Sequence, residues 1–417
     1  MRQEWRYATV GYVANSSHQL TFRSAEESDW PAMGLIAATS FGVWRPQETV
    51  DAWRALMPTD SAVVACDGSD VVGLAVFLDL ELTVPGGAVL PMAGVSFVAV
   101  APTHRRRGAL RGMFAELHRR MGAYPIAGLE ASEAEIYGRF GYGPATIWQS
   151  LSVDRTRARF HADVPDPGGV RVVAPAAHRA RLEDIEQRWR LQTPGGLHTP
   201  AALWDEVLAD REALRDGGSA LYCLLHTDGY AMYRVHGGDE TDDGKGRAEV
   251  THLAAVTPEA FIALWRALLG LDLMGSVNVV THPDHLLPYL LTDPRLVRHR
   301  GSHDGLWLRL LDIPRALQAR SYGADLSLVL DVTDGALGGG GGRFALDVRD
   351  GRAHCAATDA DADVELDLSV LGSLYLGAHR ASAFATAGRL RYAKPDHLVT
   401  LDSAFASDVP AELSFGF

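Results

Sequence analysis

Along residues 95–121 the spacing of apolar positions changes once, and the change marks an element boundary. Residues 95–100 are an apolar, β-branched run that predicts a buried strand, and Pro102 ends it. After Arg105, Arg106, Arg107 and Gly108, the apolar residues Leu110, Met113, Phe114, Leu117 and Met121 recur at helical spacing. A strand, a basic glycine-containing turn and a helix N-terminus make an anion site. The first N–H groups of a helix have no intrahelical partner and carry partial positive charge. Arginines add full charge in a geometry suited to a diphosphate. The turn is neither GxxxxGKS/T nor GxGxxG, so it is not the phosphate loop of either motif.

The same two periods alternate before and after this stretch. A strand is expected at 20–23 and a helix at 29–39, with Ser28 as its N-cap. A second helix at 48–56 carries Val50, Trp53 and Leu56 on one face. Strands at 62–66 and 71–78 flank the turn Asp67-Gly68-Ser69-Asp70, and the second runs on through 80–84. Beyond the central helix come a strand at 126–130 and a short helix at 136–140. Residues 1–18 have no period and read as a flexible extension. DVPDPGG at 163–169 reads as a linker.

After the linker the order nearly repeats: a strand at 170–173, helices at 179–191 and 200–209, and a hairpin at 221–235. A strand at 249–256, a helix at 258–270 and a strand at 276–281 follow. Thr257-Pro258-Glu259 stands where the basic turn would be, and an acidic turn does not cradle a diphosphate. From about 306 the texture changes to a helix at 313–319, strands at 325–332, 344–349 and 364–368, and helices at 369–376, 382–387 and 398–405. Residues 335–342 are glycine-rich and read as a flexible loop.

A chain of 417 residues with 47% hydrophobic content predicts several domains with real cores. The formal charge of −13 disfavours nucleic acid and suits a cationic partner. No apolar run is long enough for a bilayer and no signal peptide is visible, so a cytoplasmic location is expected. Cys66, Cys223 and Cys355 are far apart. Metal-ligand spacing is absent, and free thiols with no metal are expected.

The turn resembles the R/Q-x-x-G-x-G/A pyrophosphate loop of the GNAT N-acetyltransferases, through Arg105 and Gly108, with Leu110 in place of the second small residue. That resemblance implies acetyl-coenzyme A as co-substrate, lying between splayed central strands. Amine acetylation needs a polarised thioester carbonyl, a base for the ammonium proton and an acid for the leaving thiolate. Backbone N–H groups of Val98, Ala99 and Val100 are candidates for the carbonyl. Tyr137 and Tyr142 are candidates for the acid, since a phenol is protonated at neutral pH. Glu130, Glu133, His104 and His118 are the candidate bases near the turn.

THRRRG, ASEAEIYGRFGYGPAT, PGGL at 194–197, THPDHLLPYLLTD, DGLWLR, VLGSLYLGAHRAS and LDSAFASDVP together resemble the enhanced intracellular survival (Eis) acetyltransferases. The similarity covers nearly everything after residue 20. It implies an α/β (α+β) chain: a GNAT domain at 19–160, a second GNAT-like domain without coenzyme site at 161–305, and a sterol-carrier-protein-like domain at 306–417. It implies a homohexamer that acetylates several amines of aminoglycoside antibiotics, with protein lysines and polyamines as further targets. By the family's motifs, Val98, Ala99, Val100, Arg106, Arg107, Gly108, Ala109, Leu110 and Arg111 contact acetyl-coenzyme A, with Ser132 and Glu133 nearby. Tyr137 is the proton donor. The proton acceptor is the terminal carboxylate of Phe417, which also lines the substrate pocket with Trp53. Gly416, and Val43 or a neighbour, stand where the family carries acids, so less charge attracts a polyamine. The alternative is a lipid-binding or host-interaction protein built on the C-terminal domain. Asp359, Asp361, Asp363 and Glu365 oppose an apolar tunnel there.

Overall fold

The computed structural model describes residues 19–58, 60–238, 245–335 and 337–417. The expected extension at 1–18 lies outside the described residues. The first third contains β1 (Thr21–Ser24), α1 (Trp30–Phe41), α2 (Gln47–Arg54), β2 (Ala62–Asp67), β3 (Asp70–Thr83), β4 (Val89–Val100), α3 (Ala109–Arg120), β5 (Ile126–Glu130), α4 (Ala134–Tyr137) and β6 (Gly143–Pro144). The middle third contains β7 (Ile147–Asp154), β8 (Arg171–Val173), α5 (Arg179–Arg190), α6 (Ala201–Ala209), β9 (Tyr222–His226), β10 (Gly229–His236), β11 (Gly246–Ala255), α7 (Pro258–Leu269), β12 (Met274–Thr281), α8 (Leu287–Leu290), β13 (Val297–Asp304) and β14 (Leu306–Leu310). The last contains α9 (Ile313–Ala319), β15 (Leu326–Thr333), β16 (Gly342–Arg349), β17 (Arg352–Ala357), β18 (Val364–Asp367), α10 (Leu368–Leu374), α11 (Ala381–Thr386), β19 (Leu390–Tyr392) and α12 (Pro395–Phe405).

Three sheets result, ordered β1-β2-β3-β4-β5-β14-β6, β13-β7-β12-β11-β10-β9-β8 and β17-β16-β15-β18-β19. The sheets cut across the expected divisions at 160 and 305. Strand β7 leaves the first unit and pairs with β12 and β13 in the second sheet. Strand β14 returns from the second unit and pairs with β5 and β6 in the first. Each GNAT-like unit is therefore completed by sequence attached to the other.

Alternation along the strands sorts side chains onto two faces. Val64, Cys66, Leu74 and Val76 meet Met33 and Ile36 of α1. Val63, Ala65, Val72 and Phe77 meet Met113, Phe114 and Leu117 of α3. Further along, Leu78, Leu80, Leu82 and Met92 pack into one core with Leu326, Leu328, Leu330 and Leu371 of the third unit. A buried ion pair ties the same two units: Arg309 of β14 reaches Asp334 by two hydrogen bonds of 2.9 Å. The glycine-rich segment is also tied down, because Gly340 donates to Asp334 at 2.9 Å. The expected free loop is a packed one at this end.

Candidate active site

The site begins with two irregularities in the first sheet. Strands β3 and β4 pair Leu74 with Ala99 and then Val76 with Ser96, so β4 carries one extra residue. The bulge falls at Phe97 and Val98, and Phe97 adopts φ +50°. A bulge bends its strand and re-aims the groups on it. Parallel pairing of β4 with β5 runs only from Met92↔Ile126 to Gly94↔Gly128. Beyond that point the strands part. Phe97 and Val98 have no register partner on either neighbour.

The gap opens into a cavity of about 1000 Å³ between α1, α2, the end of β4, β5, α4 and the C-terminus. Trp30, Phe41, Trp44, Trp53, Phe97 and Tyr137 give it an aromatic lining. Trp53 meets Phe97 edge to face at 6.4 Å between ring centres. Arg54 stacks 4.1 Å above Trp30 and pairs with Glu27 at 2.7 Å. Val98, Ser132, Glu130, Val43, Gly416 and Phe417 complete the relevant wall. Of the strand residues expected to meet a thioester, Val98 lines the cavity. Ala99 and Val100 continue the ladder with Leu74 and Gly73.

At the outer end of β4 the chain turns through Arg106 at φ +63° and Gly108 at φ +85°. Successive left-handed and right-handed residues leave backbone N–H groups converging on one concavity. Gly108 is the N-cap of α3 and no side chain caps the helix there. Arg105, Arg106, Arg107 and Arg111 are exposed around it, Ala109 is buried, and Leu110 packs on the α3-side core. Arg107 and His104 both reach Asp67, at 2.9 and 3.2 Å.

The two tyrosines separate cleanly. Tyr137 ends α4 and lines the cavity together with Ser132. Burial raises its pKa above the ordinary phenol value, with nearby Glu133 adding to the shift and Ser132 opposing it. Tyr142 packs on the same ring of Phe114 as Tyr137 but is fully buried and lines no part of the cavity, and His118 lies 3.0 Å from its hydroxyl. His118 itself is pushed down to about 3, chiefly by burial, and lines no part of the cavity. Glu133 is exposed at the N-cap of α4.

The C-terminus is built in. Glu412 N donates to Pro194 O at 2.8 Å, Leu197 N to Ser414 Oγ at 2.9 Å, and Phe417 N to Glu130 Oε1 at 2.7 Å. The PGGL loop that holds the tail also pairs with the end of β3, through Thr83 N to Gly196 O at 2.9 Å and Gly195 N to Thr83 O at 2.8 Å. Gly195 sits at φ +92°, and a Cβ there would come within 2.7 Å of Glu412 O. The Phe417 ring lies against Gly94, where β4 and β5 part; a Cβ on Gly94 would stand 3.0 Å from it. Sequence reasoning had no signal for the tail-holding role of this loop. For β7 the signal was there, since Leu151 and Val153 alternate with polar residues and are both buried.

A splayed parallel strand pair, a bulged central strand and an uncapped basic helix N-terminus define an acyl-coenzyme A-dependent transferase of the GNAT fold. Comparison with known proteins agrees. Residues 21–145 and 195–310 match acetyltransferase (GNAT) domains, and 313–412 match the sterol carrier protein domain. The chain is 55% identical to N-acetyltransferase Eis of Mycobacterium tuberculosis strain H37Ra, covering 95% of this chain and 100% of that protein. It is 36% identical to an uncharacterized N-acetyltransferase of Streptomyces avermitilis, over 95% and 99% of the two chains. The crystal structure of Eis1 from Mycobacterium abscessus superposes with a TM-score of 0.84 at 29% identity, covering 96% and 100%. This chain belongs to the Eis family of N-acetyltransferases. It is an acyltransferase, and enzymes of the GNAT class use acetyl-coenzyme A.

Proposed function

We propose that the protein transfers acetyl groups from acetyl-coenzyme A to amines of polycationic small molecules, aminoglycosides among them, at more than one position. The observation that carries this reading is the chain's own C-terminus, beside Glu130, in an aromatic cavity that also contains Tyr137. Aromatic faces and carboxylates attract ammonium groups. The cavity volume of about 1000 Å³ leaves room for more than one orientation of a sugar-sized amine.

In this reading the uncapped N-terminus of α3 and the basic turn hold the diphosphate, and the backbone N–H of Val98, in the bulge, polarises the thioester carbonyl. The Phe417 carboxylate takes a proton from the substrate ammonium. The free amine attacks the carbonyl carbon, a C–N bond forms and the C–S bond breaks. Tyr137 protonates the departing thiolate, and water returns the proton from the carboxyl to the phenolate. Burial keeps Tyr137 protonated until a thiolate appears beside it. Protein lysines and polyamines present the same chemistry, and a homohexamer is the assembly that the family resemblance implies.

The test is incubation with acetyl-coenzyme A and a panel of aminoglycosides, diamines and lysine peptides, read by thiol release and by mass spectrometry. Multiply acetylated aminoglycoside supports the reading. Thiol release with none of these amines overturns it.

A further inference from the structure

The inner end of the cavity holds two carboxylates side by side. One belongs to Phe417 and the other to Glu130, the last residue of β5. Glu130 accepts the Phe417 N–H through Oε1 at 2.7 Å, and the terminal carboxylate is two bonds from that nitrogen. Among the described residues, no arginine, lysine or histidine forms an ion pair with Glu130. Two arginines line the cavity, Arg45 and Arg54, and Arg54 is already committed to Glu27 and Trp30. Two adjacent carboxylates with no ion-pair partner among the described residues form a place for a cation from outside. A carboxylate has about four lone-pair positions, and one N–H uses one of them.

Gly416 shows that this placement is specific. A Cβ at 416 would come within 2.7 Å of Glu130 Oε1 and 3.2 Å of Oε2. The space beside residue 416 is therefore occupied by the Glu130 carboxylate, and glycine leaves room for it. The acidic group missing from position 416 in the sequence has its counterpart on β5.

We propose that Glu130 is a specificity-determining residue that binds a second ammonium of the substrate while the Phe417 carboxylate deprotonates the reacting one. The inference rests on the amine-acetyltransferase reading above and sharpens its substrate class to amines with at least two neighbouring cations. Burial raises the pKa of Glu130, opposed by the Phe417 hydrogen bond and by His303, and an incoming ammonium would favour the ionised form.

The experiment compares 1,5-diaminopentane with n-pentylamine in the parent protein and in Glu130→Gln. The amide oxygen of glutamine can still accept from Phe417 N, so the tail keeps its anchor and only the charge is removed. The diamine-to-monoamine ratio of kcat/KM should fall tenfold or more, through the KM of the diamine. Calorimetric titration of the diamine without acetyl-coenzyme A should show the same loss of affinity. An unchanged ratio and an unchanged diamine affinity in Glu130→Gln overturn the proposal, as does an equal loss for both amines. Absence of turnover in the parent protein would instead sink the amine-transfer reading, and the titration would still report on Glu130.

Discussion

The two GNAT-like units place the same two devices in different states. In the first, helix α3 starts at Gly108 with no side-chain cap. In the second, helix α7 starts at Thr257, whose Oγ1 accepts from Ala260 N at 3.2 Å, with Pro258 and Glu259 in the first turn. The helix that would bind an anion is capped by its own residue and carries a negative charge there. The parallel strands also part in both. Strands β11 and β12 pair as far as Val250↔Val279, and His252 and Thr281 lie beyond. Here the gap is filled: Glu186 Oε2 meets Tyr230 Oη at 2.9 Å and His252 Nε2 at 2.8 Å, and Glu412 lies near Thr281. The C-terminal tail thus brings Glu412 to one gap and Phe417 to the other. A splayed strand pair and a helix N-terminus do not make a site by themselves. The residues that cap the one and occupy the other decide.

The change that breaks the comparison most completely is one that moves the tail. Residues added after Phe417 convert the terminal carboxylate into a neutral amide at the inner end of the first gap. We expect kcat to fall by at least about 10³-fold, within the range for loss of a positioned base. The melting temperature should hardly change, since Ser414, Glu412 and the PGGL loop keep their hydrogen bonds. Full activity in a C-terminally extended protein would move the base to Glu130.

Next in size is Tyr137→Phe, which should lower kcat by about 10²–10⁴-fold while KM for both substrates stays close to the parent. Tyr142→Phe separates structure from chemistry, because that hydroxyl meets buried His118 and lies outside the cavity. It should cost about 1 kcal/mol of stability in a denaturant titration and leave kcat within a few-fold. The reverse ranking would mean that the acid is the tyrosine buried deeper in the same core.

How much of this could be read along the chain differs by kind of feature. The β4–turn–α3 stretch was legible because strand, basic turn and helix are contiguous, and each has its own period. Glu259 in the α7 turn was legible for the same reason. The exchange of β7 and β14 was not, because pairing depends on which edge of which sheet is vacant, and that is set far away in sequence. Strand β14 is only Leu306–Leu310, apolar but for Arg309 and buried on both faces, so it has no alternation to betray its partner. Glu130 was visible as one of several acids, but its bond to Phe417 spans 287 positions. Gly416 looked like a lost charge in sequence. In space it is the vacancy that Glu130 fills.

A smaller effect sharpens the difference between the two helix N-termini. Arg106→Ala with Arg107→Ala should raise the KM for acetyl-coenzyme A with kcat little altered. A charge-assisted hydrogen bond to the diphosphate contributes about 1.5–3 kcal/mol, so removing one weakens binding roughly ten- to a hundredfold. The matching change in the second unit, Thr257→Ala, removes the α7 cap. It should cost about 1 kcal/mol of stability and leave coenzyme KM alone. A coenzyme effect from Thr257→Ala would mean that the second unit still binds it.

The smallest effect tests what fills the second gap. Burial pushes Glu186 up to about 8, with the nearby Glu412 adding to the shift, and burial pushes Glu412 itself up to about 7. An unfolded glutamate titrates near ~4.3. The folded protein therefore keeps protons that the unfolded chain releases, and stability is lost as pH rises towards 8. His252 and His118 have the opposite sign. Burial pushes them down to about 4 and about 3, so their contributions grow with pH only until the unfolded imidazole has titrated, near ~6.5. Between about pH 6.5 and 8 these carboxyls act without those histidines, and the loss should be on the order of 1–2 kcal/mol. Glu186→Gln holds a neutral group in the same place at every pH. Its melting temperature should therefore decline less than that of the parent across this window, measured by calorimetry in buffers of matched ionic strength. Parallel curves for the two proteins would show that the gap stores no proton, and that Glu186 is ionised beside Tyr230 and His252.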